Sequence, residues 1–200
     1  AYAGFSVLHD EALVPAYRGK IPMVIKNTNN PKHPGTKIVL NHTDENVKVV
    51  GIAGDSGFVS INTTKYLMNR EVGFGRKLLQ ILEDLNISWD HMPTGIDDLS
   101  VILRSKELTP IKEQEILKHL IQDLQVDYAE IEHDLSIIMI VGENMKNQIG
   151  VTATATKALS ENNINIQMIS QGSSEVSIMF VVNQEQEKQA IKALYDVFFK

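Results

Sequence analysis

The chain has 200 residues, of which 43% are hydrophobic, so it can form one or two domains with buried cores. Its net charge of -6 comes without a basic cluster, which argues against a nucleic-acid surface. No apolar run approaches the roughly 20 residues that span a bilayer, no signal peptide is visible, and cysteine is absent, which excludes disulfides and thiolate metal sites. We therefore expect a cytoplasmic protein with no membrane and no nucleic-acid partner.

The first part of the chain is predicted to be a short mixed segment. The pattern favours a helix at Asp10–Tyr17, a buried strand at Ile21–Ile25 and a further strand at Thr36–Leu40, with proline and glycine in the loop between the strands. Asn41–Asn46 is polar and is predicted to be a linker. Because the chain opens at Ala1 inside what reads as structured sequence, we expect it to be a piece of a longer protein.

An isolated strand is predicted next, at Val47–Ile52, with Gly54 and Gly57 in the turn that follows it. The sequence after this turn predicts four strands and two helices in the order βαββαβ, the ferredoxin-like unit. Apolar residues at helical spacing predict a helix at Arg76–Leu85. Thr109 and Pro110 supply the N-cap and first-turn proline of a second helix. The four strands are predicted at Phe58–Ile61, Ile87–Met92, Leu99–Leu103 and Asp127–Ile131.

The same unit recurs at an offset of 77 residues. Residue identity is kept from Met68 to Met145, Gly73 to Gly150, Leu82 to Leu159, Asn86 to Asn163, Ile87 to Ile164, Gly95 to Gly172 and Ser100 to Ser177. Two copies of one small module are therefore present, and what one copy binds the other could bind as well. The second copy has predicted strands at Ser136–Val141, Ile164–Ile169 and Val176–Val182, and helices from Gly150 to Asn162 and at Glu185–Phe199.

The second module ends one strand short of the first. The missing strand would leave an open row of backbone donors and acceptors. Val47–Ile52 has the right length to fill that edge. We therefore expect the second module to use this strand, so that the first module is inserted within the second.

In each module the loop after the first strand leads into a helix N-terminus, at Met68–Gly75 and at Met145–Val151. Free N–H groups and the positive end of the helix dipole favour a carboxylate there, and glycine lets a ligand approach the backbone. The opening of the following strand is expected to lie alongside, where Asp90 or backbone carbonyls would accept an ammonium group. The alternative interpretation is that these loops only cap their helices.

Enzymatic and metal sites find little support in the residues. The histidines have no metal-ligand spacing, the glycine-bearing segments match no phosphate loop, and Asp97-Asp98 is typical of an exposed turn. No nucleophile and base are paired in the sequence. We predict no catalytic residue, no metal site and no cofactor in this segment.

Several stretches resemble the aspartokinase family, in family order along the whole chain. Those that resemble its second ACT domain are Gly142-Glu-Asn-Met145, Ile149-Gly-Val151 and Asn163-Ile-Asn-Ile-Gln-Met-Ile-Ser170. Met68-Asn-Arg-Glu-Val-Gly-Phe-Gly75 resembles the first ACT domain. Four further stretches resemble the end of the family's amino-acid kinase domain. They are Gly4-Phe-Ser-Val-Leu-His-Asp-Glu-Ala-Leu13, Ile21-Pro22, Asn27-Thr28 and Pro34-Gly-Thr36.

The resemblance implies an α+β fold of two ferredoxin-like ACT modules, the first inserted in the second, preceded by a remnant of an α/β kinase domain. The domains would be residues 1–45 for the kinase remnant, 58–132 for the first ACT domain, and 46–57 with 133–200 for the second. The parent enzyme would transfer phosphate from ATP, with Mg, to the β-carboxylate of aspartate. Its Lys-Phe-Gly-Gly-Thr type motif is absent here, so we expect no catalysis by this segment alone.

What the resemblance leaves to this segment is feedback sensing of an end-product amino acid, with lysine favoured and threonine next. The implied partners are a second copy, through the ACT domains, and the chain's own kinase domain. A ligand-insensitive dimerisation platform is the alternative. The implied effector contacts in the first module are Met68, Asn69, Phe74, Gly75, Ser88, Trp89, Asp90, Thr94 and Gly95. Those in the second module are Ile149, Gly150, Val151, Asn165, Ile166 and Gln167.

Overall fold

The computed structural model describes residues 10–39 and 48–200. The first described part contains a helix, α1 (Asp10–Arg18), and a two-stranded antiparallel sheet of β1 (Met23–Ile25) and β2 (Thr36–Ile38). This agrees with the predicted helix and strands, although both strands are shorter than expected. The predicted linker Asn41–Asn46 and part of the kinase-like stretch lie outside the described residues.

A five-stranded antiparallel sheet organises the rest of the chain. Its strand order is β4-β3-β5-β7-β6, so the two long strands β3 and β5 lie in the middle. Each of these has 14 residues, whereas the flanking strands have between 4 and 7. The strands are β3 (Gly51–Thr64), β4 (Asp98–Arg104), β5 (Tyr128–Val141), β6 (Met168–Gln171) and β7 (Ser177–Asn183).

Four helices accompany this sheet, close to their predicted positions. They are α2 (Phe74–Asp84), α3 (Pro110–Gln122), α4 (Val151–Glu161) and α5 (Glu187–Phe199). The predicted cap of α3 is present, because the Lys112 N–H donates to Thr109 Oγ1 at 3.3 Å and Pro110 occupies the first turn.

The predicted turn at Gly54 and Gly57 is wrong, because β3 runs through both glycines as one strand. Gly57 has φ +81° and lies at a bulge, where the register with β5 shifts between Ser56 and Phe58. At Gly54 close packing requires a glycine, because a Cβ there would lie 2.6 Å from Cδ1 of Ile191 on α5. Both glycines therefore serve strand geometry and close packing.

The two long strands cross from one module to the other. The second half of β3 pairs with the first half of β5, while Gly51–Ser56 pairs with Ser136–Val141. Because Ser136–Val141 also pairs with β7, the opening of β3 is the outer strand beside the α4–α5 unit. The fold is thus α+β, with two ferredoxin-like modules and the first inserted in the second.

Two predicted strands differ from the structure. The segment predicted at Ile87–Met92 makes only isolated bridges to β4, through His91 and through Thr94 beyond it. It has a neighbour on one side alone, and Pro93 cannot donate to a ladder. The strand predicted at Ile164–Ile169 begins later, as β6 at Met168.

Each module packs its own helices on the sheet. Buried leucines and isoleucines of α2 and α3 cover β3 and β4 in the first module, and α4 and α5 cover β5 and β7 in the second. The helices reach these cores through residues at helical spacing, which are Leu78, Leu82, Ile116, Leu120, Ala155, Leu159, Ala190 and Leu194.

A third core contains strand residues only and joins the modules. It consists of Phe58, Ile102, Leu135, Ile137, Met179 and Val181, all at most 3% exposed. Arg104 lies over the Phe58 ring at 4.0 Å and forms an ion pair with Asp55 at 2.7 Å. Because Asp55 is on the opening half of β3 and Arg104 is on β4, this pair also connects the two modules.

Candidate functional site

The first loop–helix junction lies between β3 and α2. A 3-10 turn at Met68–Arg70 leads to Gly73, which has φ +80° and is the N-cap of α2. Met68 and Phe74 are each 4% exposed and anchor the loop in the core, whereas Asn69 is exposed. A Cβ on Gly75 would meet nothing within 4 Å, so space is open beside the first turn of the helix.

The N-cap of α2 is Gly73, which has no side chain to accept a hydrogen bond from the first-turn amides. The first intrahelical bond is donated by Lys77 N–H to the Gly73 carbonyl at 3.0 Å. In the first turn the Phe74 N–H donates to the Glu71 carbonyl at 3.3 Å. The amides of Gly75 and Arg76 have no partner within the helix by its geometry, and the helix dipole is positive there. This end of α2 can therefore accept a carboxylate from a small ligand.

Three charged side chains lie across this junction and form what we call the charge bridge, made of Lys65, Glu71 and Lys77. Each lysine Nζ lies 2.6 Å from a Glu71 carboxylate oxygen, and Lys65 also donates to the Leu124 carbonyl at 2.6 Å. Hydrogen bonds from Lys65 and then Lys77 hold the pKa of the Glu71 carboxyl below its ordinary value. The charge bridge was not predicted from the sequence, although Glu71 lies in the predicted loop and Lys65 and Lys77 lie on either side of it.

The second junction repeats this geometry between β5 and α4. A 3-10 turn at Glu143–Met145 leads to Gly150, which has φ +94° and is the uncapped N-cap of α4. Met145 is 2% exposed, as its counterpart Met68 is buried. Gly150 and Val151 line a groove of about 440 Å³, together with Met145, Gln148, Thr152, Ala153, Gln171, Gly172, Ser173 and Glu175.

Ser88 and Trp89 are not beside the first junction, contrary to expectation, and Asp90 follows them in the segment along β4, where its N–H donates to the Ile102 carbonyl at 2.8 Å. Ser88 and Trp89 line a groove with Leu79 and Glu83, near the C-terminal end of α2. The 11 residues of α2 make a helix about 16 Å long. The segment that follows α2 begins at the C-terminal end of the helix, whereas Gly73 is at its N-terminal end. Ser88 and Trp89 therefore lie far from Gly73.

Thr94 and Gly95 lie at the same end of the first module as its junction. The Lys65 N–H donates to the carbonyl of Asp97 at 2.8 Å, which ties the turn after Gly95 to the start of the Met68–Gly75 loop. Thr94 and Gly95 also face the second module across a groove of about 980 Å³. Asn165, Ile166 and Gln167 line the other side of that groove.

The groove between the modules is polar. The Gln167 Nε2 donates to Glu132 at 2.6 Å, while its Oε1 is buried and has no hydrogen-bond partner among residues 10–39 and 48–200. Asp98 and Ser100 of β4 line the same groove. The predicted site residues thus fall in separate places: two junctions, one groove near the end of α2, and this groove between the modules.

Metal ligands do not converge in the part of the chain that the structure describes, since no three His, Asp or Glu side chains form a possible metal site there. Burial lowers the pKa of His91, and the nearby charge of Asp90 acts in the opposite direction. Within residues 10–39 and 48–200, no helix has the length and apolarity needed to cross a bilayer.

Comparison with known proteins agrees with this geometry. A family model described as "ACT domain" matches residues 138–198, which include both helices of the second module. Aspartokinase 3 of Bacillus subtilis (strain 168) is 53% identical over 199 residues, covering 100% of this chain and 44% of that protein. The chain belongs to the aspartokinase family.

Solved aspartokinase structures share the fold. The crystal structure of Clostridium acetobutylicum aspartate kinase has a TM-score of 0.88 and 38% identity, covering 96% of this chain and 45% of that one. E. coli aspartokinase III, solved with aspartate and ADP, has a TM-score of 0.80 and 26% identity, covering 100% of this chain and 44% of that one. The chain therefore spans less than half the length of these aspartokinases and matches their regulatory region.

Proposed function

We propose that this chain is the feedback-sensing region of an aspartate kinase and binds an end-product amino acid at its loop–helix junctions. The observation that carries this proposal is the repeated junction, in which an uncapped helix N-terminus follows a glycine with positive φ. Gly73 and Gly150 are 77 residues apart, so the same anion-accepting geometry occurs once in each ACT module.

The parent enzyme in this proposal transfers phosphate from ATP to the β-carboxylate of aspartate and uses Mg. α1, β1 and β2 belong to the end of its kinase domain, residues 1–45. The first ACT domain is residues 58–132, and the second is residues 46–57 together with 133–200. The pairing of Gly51–Ser56 with Ser136–Val141 supports this division, because it gives the second domain its fourth strand.

We propose that a ligand which contacts Gly73 and the segment around Asp90 lies between two copies of the chain. Gly73 is at the N-terminus of α2, whereas Ser88 and Trp89, directly before Asp90, line a groove near its C-terminal end. The helix is about 16 Å long, and a free amino acid is shorter than that. In a symmetric homodimer the junction of one copy can meet the strand opening of its partner. The partner's Asp90 then accepts the ligand ammonium while the N–H groups of α2 bind the carboxylate.

Lysine is the first effector to test, and threonine is the second. E. coli aspartokinase III has been solved in complex with lysine and aspartate; at 24% identity and a TM-score of 0.75, it shares the fold with this chain. Binding would shift an equilibrium between two arrangements of the kinase and regulatory domains. The free energy of this shift equals the difference between the effector's binding free energies in the two arrangements.

Thermal unfolding of the chain with lysine, threonine, methionine or no ligand tests the proposal. A ligand that binds only the native state, at about 100 times its dissociation constant, adds roughly 2.7 kcal/mol of stability. A rise in Tm with one amino acid and not the others supports a sensor and identifies its effector. No rise with any of them would favour the alternative, a ligand-insensitive dimerisation platform.

The variant Asp90→Ala separates binding from folding. Its Tm without ligand is the baseline for the titration, because Asp90 is half-buried in the loop after α2 and its charge acts on His91. With the effector, its Tm rise should be smaller than in the parent chain. An equal rise in the variant would remove Asp90 from the site while leaving binding itself intact.

A further inference from the structure

The two junctions share a backbone but not their charges. In the first, Glu71 is held between Lys65 and Lys77. The positions 77 residues further on are Gly142, Gln148 and Thr154, none of which carries a charge. Among the contacts of the second loop is a bond from a neutral donor, the Asn147 N–H, which donates to Glu175 Oε2 at 2.8 Å.

We propose that Glu71 is a positioning residue which holds the first junction in its ligand-ready conformation through the charge bridge. Glu71 is in the loop, Lys77 is in α2, and Lys65 directly follows β3, so one carboxylate links the three parts of the junction. Glu71 and Lys65 are only partly exposed, at 26% and 21%, whereas Lys77 is exposed, at 44%. The Lys65–Glu71 pair therefore keeps more of its strength than an ion pair fully in water, and the Lys77–Glu71 pair contributes less.

Lys65 extends the charge bridge into the body of the module. Its Nζ also donates to the Leu124 carbonyl, just beyond the end of α3, and lies 5.7 Å from the centroid of the Phe74 ring. Phe74 is the first residue of α2. The carboxylate of Glu71 therefore fixes the loop against α2 and against the end of α3.

The consequence is that the two junctions differ in order before any ligand arrives. A loop that is already held in place loses less conformational entropy when a ligand binds. This step rests on the proposed function, and it predicts that the first junction binds the amino acid more tightly than the second. The ordering of the loop itself does not depend on a ligand.

Amide hydrogen exchange of the ligand-free chain tests the inference, because the repeat supplies matched reporters. In the first junction Met68 N–H donates to the Lys65 carbonyl and Lys77 N–H to the Gly73 carbonyl, both at 3.0 Å. In the second, Met145 and Thr154 make the corresponding bonds at 3.1 and 2.9 Å. The variants are Glu71→Gln, which removes the charge but keeps the shape, and Gln148→Ala as the control at the matching position.

We expect Glu71→Gln to speed exchange at Met68 and Arg70 about three- to tenfold, the range for one or two partly exposed ion pairs. Exchange at Met145 should not change. In 1 M salt, where the screening length falls to about 3 Å, the parent chain should approach the variant, and the variant should not respond. This salt response separates a charge effect from a packing effect.

The variant Lys77→Gln is a second test of the inference, because it removes the Lys77–Glu71 ion pair of the charge bridge by changing the lysine. It should speed exchange at Met68 in the same direction, and the double variant should show less than the product of the two single effects. Equal exchange in Glu71→Gln and the parent chain, or equal acceleration at Met145, would overturn the inference. Either result would also remove the basis for tighter binding at the first junction, whereas amino-acid binding itself is tested separately by the thermal titration.

Discussion

Val72 and Ile149 occupy matching positions of the repeat, and 94% and 95% of their surfaces are exposed to solvent. Each directly precedes the glycine N-cap of a junction helix, at Gly73 and Gly150. Large aliphatic side chains exposed at matching places in both modules favour a contact surface next to the junctions. We propose that the homodimer forms through this surface and buries these two side chains.

Replacing Val72 by Asp tests this contact. Because Val72 is almost fully exposed, the stability of the single chain should change by less than about 0.5 kcal/mol. Self-association should weaken by about tenfold or more, since a charge buried without a partner costs more than the roughly 1.4 kcal/mol that tenfold represents. Sedimentation equilibrium measures both species, with Val72→Thr as the uncharged control. Unchanged association of Val72→Asp would exclude Val72 from the dimer contact.

Gly142→Ala should destabilise the chain by about 1–3 kcal/mol. A Cβ at Gly142 collides with the backbone carbonyl oxygen of Lys48, which cannot move aside as a side-chain end can. The matched control is Gly75→Ala, where the new methyl group meets nothing within 4 Å and stability should stay equal or rise by up to about 1 kcal/mol. Urea unfolding measures both variants, and equal stability for the two would contradict the close approach of Lys48 to Gly142.

His91 should make the chain less stable in mild acid. Burial lowers its pKa in the folded state, while the unfolded value is about 6.5. The unfolded chain therefore binds more protons as the pH falls below about 6.5, so the stability contributed by neutral His91 is present above that pH and is lost below it. The variant His91→Gln should lose less stability between pH 7 and pH 5 than the parent chain in urea unfolding. Parallel pH profiles would refute the assignment.

The repeat and the helices could be predicted from the sequence because their signals are local. The helical spacing of apolar residues predicts α2, and the Thr109-Pro110 cap predicts the start of α3. The repeat offset from Met68 to Met145 predicts α4 and its junction. The strand that completes the second module was also predictable, since one module lacked an edge that Val47–Ile52 could fill. The structure pairs Gly51–Ser56 at that edge.

What the sequence could not supply depends on packing between distant segments. Gly54 and Gly57 are read as turn residues in isolation, but α5 approaches Gly54 and a bulge at Gly57 keeps β3 continuous. The separation of Ser88 and Trp89 from Gly73 follows from the direction of α2, because the chain leaves this helix at the end far from Gly73. The charge bridge was visible only as scattered charges until the loop brought Glu71 between Lys65 and Lys77.

The most direct test of amino-acid sensing is NMR titration of the backbone amides with lysine, and with threonine in a parallel sample. The proposal predicts saturable shifts at Phe74, Gly75 and Val151, whose N–H groups lie at the two helix N-termini, and at Asp90 across the dimer. Shifts confined to other surfaces, or no saturable shift with either amino acid at 10 mM (about 10 times a weak 1 mM dissociation constant), would contradict it.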